Sequence, residues 1–334
     1  MPQLIANFQD DWLLHLRDEM INDLGWMIDD LSALNACDIG YRYFDALRRK
    51  ITNTPREVIF ANDFVCPEEC HLGWVALQAK IKNGLNINPH LSKNHASLQN
   101  NDGLLAEWGV HHFHLGTSTD RKDQNYIQRT SQILFAFITD DCFYAIDVYS
   151  HQDFTNVDVL KRIHENWPKL IEKYRAEKVT GASLEPEERK NLRKNNGNVA
   201  TAMPDGTVYM PISGGVTASG MNFEAIWHAD YWLIKMDEFQ KKVESMLDQI
   251  IPTLNHNGYI AEPNIEAKLQ FPKTIFGSLK SELWVYFPTY KAHLIFYDSK
   301  YPFDIKWILI HKTKNFMADD STPIPAIKTL PGQR

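Results

Sequence analysis

The sequence predicts an α+β protein: a helical N-terminal segment on a central antiparallel sheet, followed by a C-terminal α+β domain. Three observations carry this reading. Apolar residues recur at three- and four-residue steps before Ile51, side chains alternate with period 2 between Trp108 and Ser150, and short aromatic-rich runs follow Ile265. With 334 residues, 44 % of them hydrophobic and 23 % charged, the chain has the composition of a folded protein large enough for two or three domains. The expected division is 1–100, mainly helical; 101–178, sheet plus helix; and 179–334, the C-terminal domain.

Leu13, Leu16, Met20, Leu24, Met27, Ile28, Leu31 and Leu34 give one apolar stripe along a long amphipathic helix. A second helix spans Ala36 to Ile51 and stops at Thr52-Asn-Thr-Pro55. Glu57 to Phe60 reads as a short strand, Cys70 to Asn83 as a helix ended by Gly84, and Asn88 to Asp102 as a polar connector. Trp108 to Gly116 then alternates as a strand, with Val110, His112 and His114 on one face and His111, Phe113 and Leu115 on the other. Gln132–Thr139 and Cys142–Ser150 form a hairpin closed by Asp140-Asp141, a register that sets Ile138 opposite Phe143 and Leu134 opposite Asp147. Both faces of the Leu134–Phe137 run are apolar, so both should be covered, with Phe113 and Leu115 under the N-terminal helices.

Thr155 is placed to cap a helix carrying Val159, Leu160, Ile163 and Trp167, which Pro168 interrupts. The charge-rich stretch from Lys178 to Pro204 marks a boundary. The glycine-rich segment 205–220 matches no phosphate-loop fingerprint and reads as a structural turn before a helix from Glu224 to Ile251. Strands follow at 265–271, 283–287, 293–297 and 305–310, and the tail after Lys312 carries no element.

A net charge of −7 argues against non-specific DNA binding. Positive charge is nonetheless concentrated at Lys161, Arg162, Lys169, Lys173, Arg175, Lys178, Arg189, Lys190, Arg193 and Lys194, as a solvated helix face or a nucleic-acid surface. Four scattered cysteines make no disulfide framework, and Cys66, Cys70 and His71 have only a loose metal-ligand spacing. No run of about 18 apolar residues and no secretory-type start are present, so the expectation is a cytoplasmic protein without a membrane span.

The chemistry is concentrated between Trp108 and His151. His112 and His114 share a strand face, Arg129 precedes the neighbouring strand, and His151 follows the third. Imidazoles titrate near neutrality and serve as general acid and base, while an arginine suits a phosphate. The same imidazoles with Asp147 or His151 could instead hold zinc or manganese, or could be scaffold.

His112-Phe-His114-Leu, with Arg129 ahead of Ile133-Leu-Phe-Ala-Phe, resembles the strand and arginine-led hairpin of the RelE-like ribonuclease toxins over residues 108–165. Histidines stand here where that family has lysines, and the loop 117–126 is longer. The whole chain resembles a bacterial protein family built around the Trp108–Gly116 core, a likeness that implies no activity. The RelE-like resemblance implies a ribonuclease of bacterial toxin–antitoxin or phage-defence systems, with RNA as substrate, a protein antitoxin as partner and no cofactor. His112, His114, Arg129 and His151 are then the catalytic candidates. The alternatives from other classes are a non-catalytic interaction protein that uses its aromatic-rich strands and a metal-dependent phosphoesterase.

Overall fold

A computed structural model describes residues 2–97, 102–271, 282–298 and 305–308. They form two compact units, the larger spanning Phe8–Phe239 and the smaller holding the N-terminal strand β1 (Gln3–Ile5) with the residues from Gln240 onward. Residues 178–204, where charge rises in the sequence, belong to the same unit as the central sheet. The division falls instead at Phe239–Gln240.

In the larger unit, α1 (Phe8–Asn22) buries Phe8, Trp12, Leu13, Leu16 and Met20, and Asp10 and Asp11 complement the positive end of its dipole. The apolar stripe continues to Leu34, but the helix does not. Gly25 adopts φ +74°, a left-handed conformation that ends the helix, and α2 (Ile28–Ser32) is a separate single turn. The α3 helix (Ala36–Arg49) opens on Asn35, whose side chain accepts from the Asp38 amide, and packs against α1. β2 (Glu57–Phe60) and α4 (Glu68–Lys82) follow. The connector contains two short 3-10 turns and leads to α5 (Gly103–Trp108), capped by Asp102, whose Oδ1 accepts from the amides of Leu104 and Leu105.

β3 (Val110–His114), β4 (Gln132–Ile138) and β5 (Cys142–Ser150) form the antiparallel core of a sheet in the order β2-β5-β4-β3, with β2 added parallel to β5. Ile138 pairs with Phe143 as the turn dictates. Further along, the register departs from the simple hairpin: Ala136 pairs with Ala145 and Phe135 with Asp147, so Ile146 is the extra residue of a β-bulge and Leu134 faces Val148. The bulge has an energetic reason. An unshifted register would place the Asp147 carboxylate opposite Leu134, on the face packed with Trp74, Phe113 and Phe143. With the bulge, Asp147 instead meets Arg162 at 3.0 Å.

Both sheet faces are covered. Phe113, Leu115, Leu134 and Ala136 pack with Trp74, Leu77 and Ile81 of α4. Val110, Ile133, Phe135 and Ile146 pack with Trp108 and with Val159, Leu160 and Ile163 of α6 (Asp158–Asn166). Thr155 does not cap α6. It lies in a 3-10 turn, and Asn156 accepts from the Asp158 amide instead. Pro168 opens the next short helix, α7 (Pro168–Ile171), as its missing N–H permits. α8 (Pro186–Lys194), the two-residue strands β6 (Thr201–Ala202) and β7 (Val208–Tyr209), and the part of α9 (Phe223–Ser245) up to Phe239 complete the unit's elements.

In the smaller unit, α10 (Leu247–Asn255) precedes β8 (Asn264–Glu266), which pairs in parallel with β1. β9 (Lys268–Gln270), β10 (Glu282–Phe287), β11 (Ala292–Asp298) and β12 (Ile305–Ile308) make an antiparallel sheet in the order β12-β11-β10-β9. The tail after Lys312 lies outside the described residues. Among the described residues, no helix is long and apolar enough to cross a membrane.

Candidate functional site

The β3 face that carries Val110, His112 and His114 ends in a cavity of about 580 Å³ within the larger unit. His112, Arg129 and His151 line it, as does Phe154, whose ring meets His112 edge-on at 5.0 Å and lies 6.1 Å from His151. Three of the four residues expected to act together therefore border one space. The fourth, His114, is separated from them in depth: only 1 % of it is exposed, and its ring lies 5.5 Å from that of His151 without lining the cavity.

Hydrogen bonds fix the state of the two most deeply buried imidazoles at this strand end, His114 and His90. The Thr130 amide donates to His114 Nδ1 (3.2 Å), so the single proton of neutral His114 is on Nε2. Burial pushes the His114 pKa down to about 3, and the positive charges of His112, Arg129 and His151 add to the effect. His90 supports this strand end from below. Its Nδ1 donates to the His114 carbonyl (2.8 Å) while Lys80 approaches its Nε2 (3.1 Å), and burial lowers its pKa to about 4. Both groups are uncharged at neutral pH and serve the frame of the site.

His112 and His151 have freer chemistry. Burial holds the His112 pKa below that of an ordinary imidazole, whereas Asp102 opposes the shift. Asp102 Oδ2 stands 3.7 Å from His112 Nδ1, and Oδ1 of the same carboxylate is anchored by the first amides of α5. The pair has the layout of a base with a carboxylate placed to stabilise its protonated form. His151 is exposed, and its Nε2 donates to the Thr130 carbonyl (3.0 Å), which leaves Nδ1 as its second proton site. Arg129 is exposed and has no ion-pair partner among the described residues.

Another part of the lining belongs to a stretch whose composition reads only as charged. Arg189 and Arg193, one turn apart on α8, both bind Glu107, the first through a short contact and the second at 2.6 Å. Their guanidinium carbons lie 5.0 and 4.6 Å from the centre of the Trp108 ring, a cation–π arrangement that absorbs part of the surplus positive charge. Arg193 also donates to the Phe154 carbonyl at 2.5 Å, fixing the residue between the two cavity histidines. Lys190, Arg193 and Lys194 line the cavity. The signal in the sequence was the four-residue spacing of Arg189 and Arg193 on a helix opening with the Glu185–Glu188 capping box.

The glycine-rich segment contributes Gly215 and Val216 to the cavity wall, but no anion cradle. The Gly215 amide donates to the Ala106 carbonyl, Val216 to Asn198 Oδ1 and Gly214 to the Pro211 carbonyl, so these donors are already engaged. Metal ligation likewise finds no arranged donor set: among the described residues, no three His, Cys, Asp or Glu side chains are grouped to hold an ion. Asp147 is paired with Arg162, and burial lifts the Cys66 thiol to about 11, away from the thiolate a metal would take.

No protein-family model matches the chain, and no curated protein or solved structure shows significant similarity to it.

Proposed function

We propose that the larger unit is a ribonuclease that works by imidazole acid–base catalysis without a required metal. The observation that carries this reading is the convergence of His112, His151 and Arg129 on one cavity that Lys190, Arg193 and Lys194 also line. His112, neutral and backed by Asp102, takes the proton of a ribose 2′-hydroxyl. The freed oxygen attacks the neighbouring phosphorus and the bond to the 5′-oxygen breaks. Protonated His151 supplies a proton to that leaving oxygen. The products are a 2′,3′-cyclic phosphate and a 5′-hydroxyl, and Arg129 offsets the charge that builds on the phosphoryl oxygens.

His114 has a supporting part in this scheme, because its Nδ1 is engaged and its ring is buried. The resemblance to RelE-like toxins supplies the setting: a cytoplasmic bacterial toxin or phage-defence component restrained by a protein antitoxin. Incubation of the purified protein with a defined single-stranded RNA in EDTA, followed by end analysis, tests the chemistry. Cyclic phosphate ends that disappear with His151→Ala are expected. Cleavage that requires added manganese would transfer the activity to a metal-dependent phosphoesterase, and intact RNA under both conditions would leave the cavity without this function.

A further inference from the structure

The acid–base scheme uses the strand wall of the cavity and gives no task to the wall built by α8. There Lys190 and Lys194 lie one turn apart beside Arg193. We propose that this wall is a second phosphate subsite, which holds a backbone phosphate next to the scissile one, so that the substrate is a single-stranded polynucleotide and not a free nucleotide. The proposal rests on the ribonuclease reading for the identity of the scissile phosphate, and on α8 for the second.

The two lysine charges of this wall are not consumed by the cavity's own carboxylates. Glu107 is occupied by Arg189 and Arg193, and Asp102 is committed to the α5 amides and His112. Lys194 has no ion-pair partner among the described residues, and Lys190 meets only the exposed Glu187 at 3.2 Å, a pair of little energetic weight in solvent. Complementing the helix dipole explains a cation in the last turn of α8 but not one a turn earlier, nor Arg129 elsewhere in the lining. A volume of about 580 Å³ with cations on two walls exceeds what one phosphate fills. Phe154, which touches His112 through its ring and Arg193 through its carbonyl, offers an aromatic surface for a base, the combination by which single strands are held without sequence readout.

The test is a salt titration of binding, read by fluorescence anisotropy, with a 2′-O-methyl oligoribonucleotide that cannot be cleaved. Each phosphate neutralised on a single strand contributes about 0.7 to the slope of log K against log[salt]. The Lys190→Ala/Lys194→Ala double variant should therefore bind less tightly at low salt, with a slope shallower by about 0.7, while its affinity for a nucleoside monophosphate stays that of the parent. An unchanged slope, an equal loss for the monophosphate, or no oligonucleotide binding by the parent protein overturns the subsite. Binding that behaves as expected in a protein that cleaves no RNA keeps the subsite and removes the catalytic reading.

Discussion

Replacing Glu107 with Ala removes the one carboxylate that two guanidinium groups share. Arg189 is wholly buried and Arg193 half-buried, and neither can leave Glu107 without unpacking from Trp108. Loss of one partner from a buried ion pair costs about 3–5 kcal/mol, because the remaining charge is left without compensation. Against a typical stability of about 5–15 kcal/mol this is a large fraction. For a domain of this size, about 2–4 °C is lost per kcal/mol, so the thermal midpoint of the larger unit should fall by roughly 6–20 °C. Thermal unfolding followed by far-UV circular dichroism measures this midpoint and urea unfolding the free energy, with Glu107→Gln as the milder variant that retains an acceptor of the same shape. A loss below about 1 kcal/mol in Glu107→Ala would show that the cluster is not the electrostatic brace described here.

Three further outcomes follow from particular contacts. A Cβ on Gly73 would sit 1.7 Å from the Leu115 carbonyl oxygen, so Gly73→Ala should force α4 off the sheet and prevent accumulation of folded protein; a well-folded variant would contradict that close approach. His90 and His114 have folded pKa values of about 4 and 3, below the roughly 6.5 of an unfolded imidazole, so the unfolded chain binds more protons in this window. Stability should be full above about pH 6.5 and decline as the pH falls toward 4, by about 6 kcal/mol in total, and urea midpoints that do not change between pH 7 and 5 would refute this. Asp102→Asn keeps an α5 cap but removes the negative charge beside His112, so cleavage should drop about 10–100-fold with little change in RNA affinity; an effect confined to KM would assign Asp102 to binding.

Much of the central sheet was legible because period-2 alternation states which side chains share a face. Phe113 and Leu115 do pack beneath α4, and Val110 lies on the opposite face with Ile133 and Phe135. Alternation says nothing about depth, so His112 and His114 look equivalent in the sequence although one borders a cavity and the other is sealed by the Thr130 amide. A single inserted residue such as Ile146 leaves no compositional mark, so the simple hairpin register is one residue out beyond it. The α8 wall was hidden for a different reason. Interleaved glutamates, lysines and arginines describe a solvated helix equally well, and the partner that buries Arg189 lies 82 residues away at Glu107. The break at Gly25 was likewise overridden by an apolar stripe that continues through two separate helices.

The most direct test of the catalytic assignment is kcat/KM for a single-stranded RNA in EDTA, compared among the parent protein, His112→Ala and His151→Ala, with thermal midpoints measured alongside. A positioned acid or base contributes about 10²–10⁴-fold, so each variant should lose activity on that scale while His151→Ala, altered at an exposed residue, keeps the parent's stability. Parent-like cleavage by both variants, or a parent protein that leaves RNA intact, would contradict the account.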